Sequence, residues 1–354
     1  MWLNLKFLGL FFVALVLTLV IVPVCSFVAV KLNIVDVPSR RKVHKTPKPL
    51  LGGVAIFLGF LVFSIYGVNL MRSFLSAYEV FQIKGIILST FIIFLVGLVD
   101  DVKGLKPFAK LFFQFLCANV VYFFGIKITL FMNYPIISYI LTVLWIVGIT
   151  NSFNLLDNMD GLSAGVAAIC GFLLYVVALD QRDYYAAYIS IVMCGVALGF
   201  LKYNFYPSKI FMGDAGSLTI GFLLSVVSIY TSYVKVSVLR HLPVIIPLII
   251  FAVPIFDTLS VIYIRLKKGV SIFKADKRHF SHRLCVLGMT QKQAVLTIYL
   301  LTFATGLPAT LITKVSINEA ILILLHTLMI FAIIILFERA SINKLTRAGK
   351  SEEI

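Results

Sequence analysis

Acidic side chains recur in this chain where apolar runs stop. The stretch Gly97-Leu98-Val99-Asp100-Asp101 ends one such run. Two neighbouring carboxylates there oppose each other and the negative end of a helix dipole, each effect worth on the order of 0.3–1 kcal/mol. Two readings are open: a solvated helix end with Lys103 and Lys106 as counterions, or a site where a divalent cation or phosphate chemistry makes the pair favourable. A second cluster, from Asn151 to Leu162, carries six polar side chains within ten residues. Asp160, before Gly161, suits an N-cap for the next helix, but capping does not explain Asn154 or Asp157. If the preceding helix continues through them, Asn154, Asp157 and Asp160 share one face and aim oxygen ligands in one direction.

A third acidic terminus is Phe211-Met212-Gly213-Asp214-Ala215-Gly216-Ser217. Asp214 opens an apolar run, where it either caps the helix or, with glycines on both sides, belongs to a phosphate-facing helix start. The fourth segment is basic: Lys274-Ala275-Asp276-Lys277-Arg278-His279-Phe280-Ser281-His282-Arg283-Leu284. Lys267 and Lys268 upstream read as topology, whereas His279, His282 and Arg283 suit phosphate or nucleotide contacts. His44, within Arg40 to Gly53, is open between a surface and a functional reading. Asp257 lies in an apolar run with Pro243, Pro247 and Pro254, and an ionisable group there faces protein or water. The expectation is a broken helix that opens a groove by which a lipid tail reaches the loops.

The elements that must position these groups are membrane spans. Of 354 residues 61% are hydrophobic and 13% charged, and mean hydropathy is +1.04. Soluble domains run about 45–50% apolar and about 25% charged, so a soluble globular protein and a disordered one are both excluded. Eleven runs are long enough to span: roughly 7–30, 50–69, 81–99, 108–124, 136–152, 162–179, 184–201, 216–234, 242–264, 293–313 and 319–337. The first carries no charge and no cleavage site follows it, so it reads as a retained helix. The expected fold is all-α, a polytopic integral membrane protein with a single transmembrane domain. The loops 31–49, 100–110, 151–161, 202–215 and 265–292, with the tail 338–354, hold 23 of the 31 Lys and Arg. That excess makes this side cytoplasmic, with the N-terminus outside and the C-terminus inside. The net charge of +16 is thus mostly an orientation signal. The five cysteines show no Cys-x-x-Cys pair, so neither a disulfide framework nor a zinc site is expected. A transporter would place its ionisable groups near the midplane, often with inverted repeats, and neither is seen.

Taken in order, these four acidic and histidine segments resemble the signature loops of the polyprenyl-phosphate N-acetylhexosamine-1-phosphate transferases, glycosyltransferase family 4, over His44 to about residue 300. Ala275-Asp276-Lys277 before the histidine motif and His282-Arg283-Leu284 at its close resemble the WecA/TagO branch. The chain departs from the common His-x-His-His pattern at Ser281, and no role is carried to that position. The resemblance implies transfer of GlcNAc-1-phosphate from UDP-GlcNAc to undecaprenyl phosphate with release of UMP, at the cytoplasmic face of a bacterial inner membrane. It implies Mg²⁺, or Mn²⁺ in its place, held by Asn154 and Asp214. Asp100 and Asp101 would act on the lipid phosphate, supported by Asp157. Asp160 would face the uracil, and Lys110, Arg283, His279, His282 and His44 would serve substrate binding. Direct attack by the lipid phosphate is favoured over a covalent phospho-sugar on an aspartate. The alternative donors are UDP-MurNAc-pentapeptide and other UDP-N-acetylhexosamines. A homodimer is the allowed assembly, and nucleic acid is not a partner.

Overall fold

The computed structural model describes residues 2–37, 46–73, 75–128, 134–231, 245–273 and 278–347. His44, Pro243 and the Lys274 to Lys277 stretch lie outside them. The chain forms two compact units, Met1–Lys235 and Val236–Ile354.

The first unit holds α1 (Trp2–Lys31), α2 (Gly52–Leu70), α3 (Ala77–Lys103), α4 (Pro107–Phe123), α5 (Pro135–Leu156), α6 (Leu162–Asp180), α7 (Tyr184–Asn204) and α8 (Gly213–Tyr230). It also holds a two-residue antiparallel pair, β1 (Val35–Asp36) with β2 (Lys48–Pro49). The helix starts follow local chemistry. Ser76 and Glu79 form a reciprocal capping box on α3, and prolines occupy the first position of α4 and α5, where no N–H is needed. Gly104, at φ +69°, stops α3. Several hydroxyls inside the spans, at Thr90, Thr150 and Thr219 among others, donate to the carbonyl four residues back, which suits an environment without water.

Among the described residues nine helices are long and apolar enough to cross a membrane, and α4 is a shorter apolar helix beside them. This is a multi-pass, all-α membrane protein in which β1 and β2 are the only strands among the described residues. In the first unit α7 and α8 are 83% and 78% buried over their apolar windows and α1 only 22%, so α7 and α8 are central and α1 is peripheral. α6 packs on α7, and α8 packs on α3 and α5.

The approach of α8 to its neighbours depends on missing side chains. A Cβ on Gly97 of α3 would lie 2.5 Å from Ala215 Cα, and one on Gly53 of α2 would collide with the backbone of Gly216. Gly53 N–H also donates to Met212 O at 2.9 Å, and Gly52 N–H to Phe211 O at 3.1 Å. The starts of α2 and α8 are therefore in backbone contact.

The second unit holds α9 (Ile245–Ile250), α10 (Ala252–Lys267), α11 (Phe280–Val286), α12 (Gln291–Gly306), a 3₁₀ segment (Leu307–Lys314) and α13 (Ile317–Arg347). The run expected as one span over 242–264 is two helices, broken at Phe251. Pro254 has no N–H to give the Ile250 carbonyl, so the helix restarts with the proline in its first turn. Two other boundaries differ. α3 carries its helix past Asp100 and Asp101 to Lys103, and α5 stops at Leu156. The face that Asn154, Asp157 and Asp160 would have shared therefore does not form.

Gly97→Val should lower the thermal unfolding midpoint in detergent by several degrees, because overpacking against backbone costs about 1–3 kcal/mol or more. Gly148→Ala on α5, whose Cβ meets nothing within 4 Å, should leave it unchanged or slightly raised. Equal midpoints for the two variants would show that the close approach at Gly97 is not needed.

Candidate active site

Seven helix ends of the first unit meet at one end of the bundle: the starts of α2, α4, α6 and α8 and the ends of α3, α5 and α7. The acidic residues gather there.

Asp101 reaches across from α3 to the start of α8. Its Oδ1 accepts from Asp214 N–H at 2.7 Å and its Oδ2 from Ala215 N–H at 3.0 Å. The carboxylate thus caps α8 from another helix, where two N–H groups and the positive end of the dipole favour it. Gly213, at φ +69°, leaves the space that the carboxylate occupies, since a Cβ there would lie 2.5 Å from Asp101 Oδ2. Asp214 therefore does not cap its own helix. Its carboxylate turns outward, with Oδ2 2.6 Å from Lys110 Nζ and Oδ1 accepting from Asn154 Nδ2 at 3.0 Å. Asn154 Nδ2 also donates to Ser217 Oγ at 2.9 Å, tying the end of α5 to the first turns of α8.

Lys110, on α4, bridges two carboxylates. Its ammonium lies 2.9 Å from Asp100 Oδ2 as well as 2.6 Å from Asp214 Oδ2. Asp100 Oδ1 accepts from Leu105 N–H, the first residue past the Gly104 turn. The counterion of the Asp100–Asp101 pair is thus Lys110 together with the α8 dipole, not Lys103 or Lys106. Lys110 and Gln114 lie four residues apart on one face of α4, and buried Gln114 exchanges side-chain hydrogen bonds with Asn151 of α5.

Asp157, the residue after α5, stands apart. Among the described residues no hydrogen-bond donor reaches its carboxylate. Burial, and then the negative charges of Asp214, Asp101 and Asp160, push its pKa up to about 8. Its residue surface is only partly covered, so the rise reflects crowding of the carboxyl group rather than sequestration of the whole residue.

Asp160 does not cap α6. Gly161, at φ +79°, takes that position without a side-chain bond, and Asp160 Oδ2 accepts from Ser208 N–H at 2.9 Å with Lys48 Nζ 3.6 Å away. Lys48, on β2, also donates to Ser208 Oγ at 2.7 Å and sits 4.9 Å from the Phe211 ring centre. Buried Asn204 holds the same corner, accepting from Gly161 N–H and donating to Ile210 O, both at 3.0 Å. Lys48, Asn204, Gln114 and Ser217 are site-forming residues that sequence reasoning missed. Only Gln114 carries a signal, its spacing of four from Lys110.

The histidine motif belongs to the second unit. His279 Nδ1 lies 2.9 Å from Asp257 Oδ2, and the His282 ring centre lies 6.5 Å from that of His279. Arg283 Nε donates to Glu338 of α13 at 2.9 Å, Nη1 to Arg278 O at 2.6 Å and Nη2 to Ser260 Oγ at 3.0 Å. Three of its five N–H groups are thus committed to protein. Asp257, expected beside a lipid groove, is instead buried at 1% exposure and bonded to α11.

The oxygen donors at this end are of the hard type that a divalent cation such as Mg²⁺ takes. The Lys110 ammonium lies between the carboxylates of Asp100 and Asp214, with the carboxyl groups of Asp101 and Asp157 at the same end of the bundle, and all four are hard oxygen donors. No group of three His, Cys, Asp or Glu among the described residues is placed to close around an ion. That fits Mg²⁺ held by one carboxylate, an amide oxygen and substrate phosphates, since this ion keeps few protein ligands. Asn154 at present turns its nitrogen to Asp214, so ligation through its oxygen requires a half-turn of the amide.

A carboxylate and lysine cluster at the shared helix ends of a multi-pass bundle defines a membrane enzyme class in which polar and lipid substrates meet. The sequence model described as "Glycosyl transferase family 4" matches residues 83–232, which contain Asp100, Asp101, Lys110, Asn154, Asp157, Asp160 and Asp214 but not Lys48. The chain is 36% identical to the "Probable undecaprenyl-phosphate N-acetylglucosaminyl 1-phosphate transferase" of Bacillus subtilis (strain 168), over 92% of this chain and 90% of that protein. It is 34% identical to the "Decaprenyl-phosphate N-acetylglucosaminephosphotransferase" of Mycobacterium tuberculosis (strain CDC 1551 / Oshkosh), over 77% and 74%. A "Phospho-N-acetylmuramoyl-pentapeptide-transferase" of Prochlorococcus marinus (strain MIT 9312) is 34% identical over 57% of this chain and 61% of its own length. The chain belongs to glycosyl transferase family 4, within the WecA/TagO-like branch.

Asp157 generates a pH prediction. Because its folded pKa of about 8 lies above the ordinary carboxylate range of about 4, the folded protein holds a proton that the unfolded chain releases. Stability from this group is greatest below about pH 4 and falls until about pH 8. In cation-free detergent solution the melting temperature of Asp157→Asn should therefore exceed that of the parent by a margin that grows from pH 5 to pH 8. A margin independent of pH would show that Asp157 titrates normally.

Proposed function

We propose that this protein transfers GlcNAc-1-phosphate from UDP-GlcNAc to undecaprenyl phosphate, forming undecaprenyl-diphospho-GlcNAc and releasing UMP. The reaction runs at the cytoplasmic face of a bacterial inner membrane, as the first membrane step of cell-envelope glycan synthesis. The observation that carries this reading is Lys110, held between Asp100 and Asp214 by three helices. An ammonium fixed among carboxylates at a membrane-level helix end suits a pyrophosphate brought beside a lipid phosphate. The Bacillus relative's name supports the sugar and the lipid. The concentration of Lys and Arg on the loops at this end supports the cytoplasmic orientation, with the N-terminus outside and the C-terminus inside.

A lipid phosphate oxygen attacks the β-phosphorus of UDP-GlcNAc, and the bond from that phosphorus to the bridging oxygen breaks as UMP leaves. A phosphate monoester is already nucleophilic near neutral pH, so the protein mainly positions it and offsets charge. Asp100, bonded to Lys110, holds that ammonium toward the phosphates and assists the attack. Asp101, with both oxygens spent on α8, positions Asp214 and is not free to act as a nucleophile. Asp157, which holds its own proton near neutral pH in the cation-free protein, supports the site beside Asp101, Asp160 and Asp214. Asp160, with Lys48 beside it, faces the uracil. His279, His282 and the remaining donors of Arg283 contact phosphate. Mg²⁺, or Mn²⁺ in its place, held by Asp214 and Asn154, would supply neutralisation of the pyrophosphate charge.

Purified protein with undecaprenyl phosphate, Mg²⁺ and a panel of UDP-sugars should release UMP with UDP-GlcNAc. Chelation should abolish release and added Mg²⁺ restore it, and Asp214→Ala should lose at least about 100-fold in kcat/KM. No UMP from any UDP-N-acetylhexosamine would overturn the reading, and release only from UDP-MurNAc-pentapeptide would reassign the donor. Full activity in chelator would remove the cation from the scheme.

A further inference from the structure

We propose that Asp257 is a positioning residue that sets the tautomer and aim of His279. The inference rests on the reading of His279 as a group that meets substrate phosphate.

Asp257 lies on α10 with 1% of its surface exposed, and a carboxylate so buried is costly unless each oxygen finds a donor. Both do. Oδ1 accepts the Phe280 N–H at 2.6 Å, and Oδ2 lies 2.9 Å from His279 Nδ1. Phe280 is the first residue of α11 and His279 is its N-cap, whose own side chain makes no capping bond. The carboxylate of another helix therefore caps α11 while holding the ring of the residue before it. An ionised carboxylate only accepts, so the proton between it and the imidazole belongs to Nδ1. Nε2 is then the acceptor nitrogen, in a residue only 4% exposed, able to take a proton or, when the ring is charged, to donate to a phosphate oxygen brought against it.

The orientation is reinforced one turn along. Ser260 accepts from Arg283 Nη2 at 3.0 Å, so α11 is tied to α10 on either side of the Phe280 ring. That ring is itself buried, packed edge-on against Phe256 with centres 5.5 Å apart. Asp257 is thus to His279 what a supporting carboxylate is to a metal-bound or general-base histidine: it fixes which nitrogen carries the proton and how the ring is turned.

Asp257→Asn separates this role from mere packing. The Phe280 N–H can only donate, so the asparagine oxygen must stay with it and the amide NH₂ must turn to His279 Nδ1. That forces the ring proton to Nε2. In ¹⁵N-histidine-labelled protein in nanodiscs, with the His279 signal assigned by its loss in His279→Asn, the parent should show a protonated Nδ1 and Asp257→Asn a protonated Nε2. For UMP release, kcat should fall roughly 10- to 100-fold with KM for UDP-GlcNAc little changed. Asp257→Asn added to His279→Asn should cost nothing further, because the carboxylate acts through the ring. A parent His279 protonated only at Nε2 would overturn the proposal even if Asp257→Asn failed to fold. So would an unchanged tautomer in the variant, or losses that add in the double variant. Should the protein release no UMP from any UDP-N-acetylhexosamine, the functional reading would fail, while the nitrogen signals would still decide whether Asp257 governs His279.

Discussion

The carboxylate of Asp101 at the start of α8 is the interaction on which the acidic end of this protein depends. It satisfies two backbone N–H groups that a helix cannot satisfy for itself, and it does so from a different helix. By taking the capping position it releases Asp214, one residue into α8, to face Lys110 and Asn154. The contact is only reachable because Gly97, Gly213 and Gly216 remove the side chains that would hold α3, α2 and α8 apart. Local backbone geometry, helix packing and site geometry are in this way one constraint.

The electrostatics follow from that placement. Four carboxyl groups gather at the point where spanning helices end, two of them on one ammonium. Lys110 joins Asp100 to Asp214, so one charge ties the end of α3 to the start of α8 through α4. Asp157 receives no such help and is the group that responds most to burial. The second unit solves a similar problem with one buried carboxylate. Asp257 caps α11 and holds His279, and no lipid groove is needed to explain an acid inside an apolar helix.

Several features were legible in the sequence because they depend on composition or on neighbours along the chain. The spans follow from apolar runs about 20 residues long, and the break near Pro254 from the missing proline N–H. The four polar segments were visible as departures from an apolar background. The roles of their members were not. A spacing of three suggested a shared face for Asn154, Asp157 and Asp160, but α5 ends at Leu156, Asn154 and Asp160 bond to separate partners, and among the described residues no donor reaches the Asp157 carboxylate. Asp160 and Asp214 each looked like the cap of the helix it precedes or opens, yet a glycine and a distant aspartate provide for those helices instead. Lys48 gave no signal, since its partners Asp160 and Ser208 are over 100 residues away in the chain.

By itself the sequence determined that the chain is a helical membrane protein of glycosyl transferase family 4 and which polar segments carry its chemistry. Those properties are set by hydropathy, by helix-ending residues and by motifs contiguous in the chain. Only the tertiary structure decided that Asp101 caps, that Asp214 and Lys110 face each other, and that Asp257 commands His279. Each of these assignments turns on which backbone N–H groups and charges lie within about 3 Å of a carboxylate, and in a helix bundle those partners come from other helices, brought close where glycines allow it.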